Sequence, residues 1–377
     1  MENDRSRNEW QQVTQTSDRH RFTRFPVDRR PPVFRFSYSI LHVFPLLLLL
    51  VACDGSNRSD DTLRFFLRGN LKLKEREYRQ AIQLYNEAIE SDKTFADAYN
   101  NRGIARYETG DFKGAIADYN EAIRLAPTYT DAYYNRANAY EKLGQYPQSL
   151  TDLNRVAEIY KDTAKVFLSR ALVKVQTNDY GGAVTDFDRA LSLDPDNAEA
   201  YVNRGFLKFN LRQYDAANVD FQKAISLDPQ QDFAYNNLGL IRARNGEYDK
   251  ALELLNQALQ LKPEQPYYLN NRGYVKLMRG QLEEGMADVQ RSLARDSTNG
   301  WAYRNAGLYE LKKGQPDPAV ANFRKAMQKT SGVELVHHYL GLAYAAQGKE
   351  DAACREWKIS AELGEAESKP LLAEKCK

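Results

Sequence analysis

The chain has 377 residues, 42% hydrophobic and 28% charged, with 13 Pro and 21 Gly. That length exceeds what one ordinary core organises, so several domains or a repeat array are expected, and the composition excludes disordered and fibrous classes. The formal charge of +2 comes from the first 52 residues, where eight Arg face five acids, so the body is near neutral. It lacks the clustered bases that a nucleic-acid partner requires.

Residues 1–32 are polar, and residues 36–52 form an apolar run that stops at Cys53 before Asp54, Gly55 and Ser56. The run contains Ser37, Ser39, His42 and Pro45 and is short of the ~20 residues that span a bilayer, which disfavours a transmembrane helix. A basic residue, an apolar stretch and small residues before a cut is the layout of a secretory signal. Leu50-Val51-Ala52-Cys53 resembles the bacterial lipobox. That resemblance implies cleavage before Cys53, whose acyl chains become the anchor, in keeping with the rule that stable attachment takes more than one chain. The other reading is an uncleaved signal anchor or a buried helix with an incidental cysteine. Signal n-regions are short, so translation is expected to begin near Val33, and Pro31-Pro32 spoils a twin-arginine signal at Arg29-Arg30. Residues 1–52 are therefore read as leader and signal peptide and 53–61 as a lipidated tether. The expected location is a bacterial cell envelope, anchored to the inner or outer membrane and facing the periplasm.

The body repeats one unit nine times. Small residues stand at Gly69, Gly103, Ala137, Ala171, Gly205, Gly239, Gly273, Gly307 and Gly341, always 34 apart. Twelve residues after each slot comes a small residue (Ala81, Ala115, Ser149) and sixteen after it a bulky one (Tyr85, Tyr119, Leu153), through to Ala353 and Trp357. Small residues fit where two helices cross closely, and bulky ones fill the space between. The apolar period within each half is 3.6, so each unit is two antiparallel helices, with turns such as "ETGDF" between them and breakers such as Pro127, Pro195, Pro229 and Pro263 at the end.

This pattern closely resembles the tetratricopeptide repeat over residues 62–365. The resemblance implies an all-α, right-handed α-solenoid of nine helix pairs whose first helices line a concave groove. Val156 and Lys161 depart from the pattern in repeat three, and repeats seven to nine lack the closing proline, so local distortion is expected there. Residues 366–377 read as a short amphipathic helix capping the open end.

Arg precedes the slot in six units and Asp lies fifteen after it in five: Arg102 with Asp118, Arg136 with Asp152, Arg170 with Asp186, Arg204 with Asp220, Arg272 with Asp288. Repeat six has Leu238 with Leu254. Residues that travel together suit an intra-unit fork between guanidinium and carboxylate, a structural role. No P-loop, zinc spacing, nucleophile elbow or paired-carboxylate site is present, and His337 and His338 sit on adjacent helix faces where they cannot share a metal. The chain reads as a binding protein without cofactor, metal or catalysis. Its expected function is a membrane-anchored scaffold holding a peptide segment or partner protein, in envelope assembly, secretion or protein-complex formation. A glycan-binding accessory of a cell-wall enzyme is the alternative.

Two residues before the slot stand Asn101, Asn135, Asn203, Asn237, Asn271 and Asn305, a ladder of amides able to donate and accept along an extended peptide. Four residues earlier, on the same helical face, come Asp97 and Asp131 in early repeats, then Phe233, Tyr267 and Trp301. These aromatics are expected to be the exposed anchors of the groove, for a peptide or for sugar rings. With Cys53 acylated, Cys354 and Cys376 remain, an even pair in an oxidising compartment and a possible disulfide.

Overall fold

The computed structural model describes residues 59–376, which hold nineteen α-helices. They fall into two compact units, one ending at Leu207 and one starting at Lys208. The first holds α1 (Asp60–Lys74) with α2 (Tyr78–Ser91), α3 (Ala96–Glu108) with α4 (Phe112–Leu125), α5 (Thr130–Lys142) with α6 (Tyr146–Ile159), and α7 (Ala164–Gln176) with α8 (Tyr180–Leu193). The boundary falls inside α9 (Ala198–Asn210). The second unit continues with α10 (Tyr214–Leu227), α11 (Asp232–Arg244) with α12 (Tyr248–Leu261), α13 (Pro266–Arg279) with α14 (Leu282–Arg295), α15 (Gly300–Lys312) with α16 (Pro316–Lys329), and α17 (Val336–Ala346) with α18 (Glu350–Glu362). A 3-10 turn, Ala366–Ser368, leads into α19 (Lys369–Lys375).

The 34-residue pattern sets the packing of each pair. A Cβ added at Gly69 or Gly103 would lie 2.6 Å from the ring of Tyr85 or Tyr119, so the slot is small because the aromatic sixteen residues later lies on it. Those bulky residues are sealed: Tyr85, Phe187, Phe221, Leu255 and Phe323 have no exposure, and neither do Ala81, Ala115, Ala183 and Ala217. Such burial supplies roughly 1.5–3 kcal/mol per large side chain. Between the two helices of every pair the chain turns through one left-handed residue seven after the slot. It is Gly at 110, 144, 246, 280, 314 and 348, but Arg76, Asn178 and Arg212 adopt the same turn at φ 61°. The next residue closes it with a 6→1 bond, as Asp111 N–H does to the Arg106 carbonyl at 2.9 Å.

Repeats three and seven keep regular helices despite their departures, and in repeat three Val156 is fully buried in place of the usual small residue. Distortion occurs at the junction into repeat nine, where Leu335 is left-handed at φ 59° and α17 is shortened to 11 residues. Glu365, 4% exposed, holds that bend: its carboxylate accepts from Leu335 N–H at 2.6 Å and from the Ser360 hydroxyl at 2.5 Å. Ser368 donates on to Ser360 at 2.7 Å and meets His338 Nδ1 at 2.9 Å. The segment before α19 is thus tied to repeat nine by a buried polar chain. A disulfide joins Cys354 on α18 to Cys376 after α19, with Cα atoms 5.6 Å apart.

Candidate partner-binding surface

The amide ladder exists, but it runs between helices. Asn101 Nδ2 donates to Asn70 Oδ1 at 2.9 Å and Asn135 Nδ2 to Asn100 Oδ1 at 3.0 Å. In the second unit Asn271 donates to Asn236 at 2.9 Å and Asn305 to Asn270 at 2.7 Å. Each donor sits two before its slot, and from Asn135 onward each acceptor sits three before the slot of the preceding repeat. A side chain at that place faces the neighbouring first helix, within reach of one more amide. Tyr134 and Ser169 make the equivalent contact at 3.0 Å. Asn203 and Asn237 break the series. Leu168 fills the acceptor position before Asn203, whose Nδ2 has no partner, while Asn237 donates to the Phe233 carbonyl at 2.8 Å and leaves its Oδ1 unbonded.

Burial corrects the expected groove. Asn237, Asn271 and Asn305 are at most 2% exposed and Asn203 is 5%, so these four are packing residues. Phe233 and Trp301 are buried as well, and half-buried Tyr267 spends its hydroxyl on Asp296 at 3.3 Å. The signal for this was in the sequence: Asn100, Asn236 and Asn270 stand three before the slot, a second column of amides that completes the pairs. In repeats two and three, by contrast, Asn101 and Asn135 are half-buried and Asp97 and Asp131 are exposed. There the first-helix face presents carboxylates and amides together, with Tyr160 donating to Asp131 at 3.0 Å.

The arginines are structural, and they bridge more than one repeat. Arg136 holds Asp152 with Nε and Nη2 at 2.8 and 2.7 Å, and its Nη1 reaches Asn120 in the preceding repeat at 2.8 Å. Arg102, Arg170 and Arg272 repeat the arrangement with Asp118, Asp186 and Asp288. Arg204 Nη1 reaches Asp188 at 2.6 Å and Lys208 reaches Asp220 at 2.8 Å. Repeat six lacks the guanidinium, and a cleft of about 360 Å³ opens there, lined by Gln222, Ile225, Tyr235, Leu238, Lys250 and Leu254 among others.

In the second unit Arg304, 1% exposed, points Nε and Nη2 at Asn305 Oδ1 and Nη1 at the Glu334 carbonyl at 2.9 Å. Glu334 is buried with Oε2 unbonded, and burial, opposed by Arg304, pushes its carboxyl up to about 7. The two histidines separate: His337 meets Glu356 at 2.7 Å and His338 meets Ser368. Among the described residues no group of three or more His, Cys, Asp or Glu could hold a metal, and no helix is long and apolar enough to cross a membrane. Cys53 and the leader lie outside the described residues.

A stack of 34-residue helix pairs, closed by small-on-large contacts and joined through first-helix amides, defines a helical-repeat binding scaffold. Family profiles agree: the TPR repeat profile matches residues 69–110, 105–144 and 171–212, and tetratricopeptide repeat profiles match 130–163, 198–231 and 233–265. The chain belongs to the tetratricopeptide repeat family. Among solved structures it is similar to a tetratricopeptide repeat protein from Parabacteroides merdae, at 19% identity and a TM-score of 0.54 over 66% of this chain and 98% of that one. It is also similar to the Cut9–Hcn1 hetero-tetramer of the APC/C, at 15% identity and a TM-score of 0.54 over 86% of this chain and 79% of that one. YrrB, a TPR protein with an unusual peptide-binding site, shares 25% identity at a TM-score of 0.43 over 49% of this chain and 95% of that one. No curated protein sequence matches.

Proposed function

We propose that the protein is a lipid-anchored TPR scaffold of a bacterial envelope, tethered through Cys53, that holds an extended segment of a partner protein on the first-helix face of its first unit and performs no chemistry of its own. The observation that carries this is the half-open amide and carboxylate row of Asn101, Asn135, Asp97 and Asp131, set at the same place in successive stacked helices. Neighbouring helices pack ~8–10 Å apart and an extended chain advances ~3.3 Å per residue, so one amide meets every third peptide unit. The glycan reading loses its carriers, since Phe233 and Trp301 are buried. Two experiments test the two halves. A photo-crosslinking residue at Asn135 should capture a protein in living cells while one at exposed Val219 should not; equal capture at both would refute the surface. Mass spectrometry of the native protein should find Cys53 as the acylated first residue, and an intact Met1 terminus would refute the anchor.

A further inference from the structure

The cleft of repeat six has the outline of a side chain that other repeats carry. In repeats two to five the residue before the slot is Arg, and its guanidinium lies 5.3 or 5.4 Å over the ring four before the slot, Tyr99, Tyr133, Phe167 or Tyr201. The outer edge of that guanidinium is held by the residue seventeen after the preceding slot, as Arg102 is by Asn86 and Arg136 by Asn120, both at 2.8 Å. Repeat six keeps the ring and the amide, as Tyr235 and Gln222, but has Leu238 in place of the arginine. Leucine reaches only as far as the aliphatic stem of an arginine, so the place of the head group stays open within the cleft of about 360 Å³. Among the described residues no cation lies over Tyr235, and the Gln222 amide has no partner.

The charges round the cleft select its occupant. Leu254 stands where Asp118, Asp152 and Asp288 hold the fork of other repeats. The two cations at the rim are already engaged: Arg242 meets Glu247 at 3.5 Å and Asn218 at 3.2 Å, and Lys250 meets Glu247 at 2.6 Å. Glu253 is exposed, lines the cleft and makes no ion pair among the described residues. It is particular to this repeat, because fourteen after the slot no other repeat has an acid; repeats two to five have Ala117, Thr151, Thr185 and Val219. A ring face, an amide oxygen and an unpaired carboxylate over an apolar floor are the surroundings of a guanidinium, whose plane stacks while its edge donates. A lysine ammonium, compact and strongly hydrated, matches the ring and the floor less well. We infer that this cleft receives an arginine side chain from the surface of a partner protein. It is a second docking point, within the second unit, and depends neither on the lipid anchor nor on the first-unit amides.

The cross-linking test at Asn135 is separate, since its control, Val219, does not line the cleft. The test here is methyl NMR on the full chain, with Ile225, Leu238 and Leu254 as reporters and a blocked tripeptide, acetyl-Gly-Arg-Gly-amide, as the probe. The tripeptide should shift these methyls saturably, with a dissociation constant on the order of 1 mM. Its citrulline counterpart, which keeps the shape and loses the charge, should bind about tenfold more weakly. Glu253→Gln and Gln222→Ala, both at exposed positions, should each weaken binding about fivefold. Leu238→Arg with Leu254→Asp rebuilds the fork of repeats two to four, fills the cleft from within and should abolish the shift at Ile225; should that variant fail to fold, the two exposed changes carry the test. No shift up to about 20 mM, an equal response to citrulline, leucine or aspartate tripeptides, or binding indifferent to both exposed changes would overturn the inference. So would free L-arginine binding more tightly than the tripeptide, which would give the cleft to a small molecule.

Discussion

Arg136→Leu and Arg272→Leu remove the same guanidinium from two repeats, yet the structure predicts unequal losses. Asp152 is 3% exposed and Arg136 is its ion-pair partner, because Tyr140 occupies the place three after the slot. Leucine at 136 therefore leaves a buried carboxylate uncompensated, at a cost of about 3–5 kcal/mol. Asp288, equally buried, is also held by Lys276 at 2.8 Å and approached by Arg291 at 3.8 Å, so Arg272→Leu leaves cations in place and should cost about 1–3 kcal/mol. The double change Arg136→Leu with Asp152→Leu copies Leu238 and Leu254 of repeat six and should recover most of the loss. Urea unfolding followed by circular dichroism gives the totals, and hydrogen exchange assigns them to a repeat, since a stacked array need not unfold in one step. Equal losses for the two single variants, or a double variant no better than Arg136→Leu, would refute the coupling.

Asn305→Ala should lower stability by about 1–3 kcal/mol, because it strands the fully buried Asn270 carbonyl oxygen; a neutral variant in a thermal melt would return Asn305 to the binding surface. Replacing Cys354 and Cys376 by Ser opens a 22-residue loop and should cost about 3 kcal/mol, read as faster hydrogen exchange in α19, with no change expected only if the thiols are unpaired in the native protein. Glu334 is raised from 4.5 to about 7, so the folded state keeps its proton after the unfolded state has lost it. Stability from this group is therefore fully present below pH 4.5 and declines by about 3 kcal/mol as pH rises to 7 and beyond, and Glu334→Gln should flatten that part of the denaturation profile. Arg76→Gly should stabilise by about 0.5–1 kcal/mol, since glycine adopts φ 61° without the Cβ penalty, as six sister turns already do; a lower melting temperature would contradict this.

The fold was legible because a repeat states its packing rule nine times. One Gly/Ala column is weak evidence, but the same column offset by twelve and sixteen residues from a small and a bulky one can only be a close helix crossing, and at Gly69 the ring of Tyr85 leaves no room for a Cβ, which would lie 2.6 Å from it. The arginine fork was legible for the same reason, through residues that change together. Its second half, the reach of Nη1 to Asn86, Asn120 or Asn256, joins different units and escaped a reading confined to one unit at a time. The left-handed turn position was likewise missed, because arginine and asparagine fill it in three repeats.

The surface was harder to read for a physical reason. An amide meets another amide as well as it meets a peptide backbone, so a column of Asn on stacked helices is equally suited to cohesion and to recognition. What decides is how far the bonded pair is buried. Where Asn236 and Asn270 are the acceptors the pair is closed and sealed, and the repeat gains rigidity. Where burial is incomplete, at Asn101 and Asn135, the same side chains keep an edge open to a partner. Recognition is therefore expected from the first unit, whose exposed Asp97 and Asp131 flank those open amides, while the paired amides of the second unit hold its helices in register.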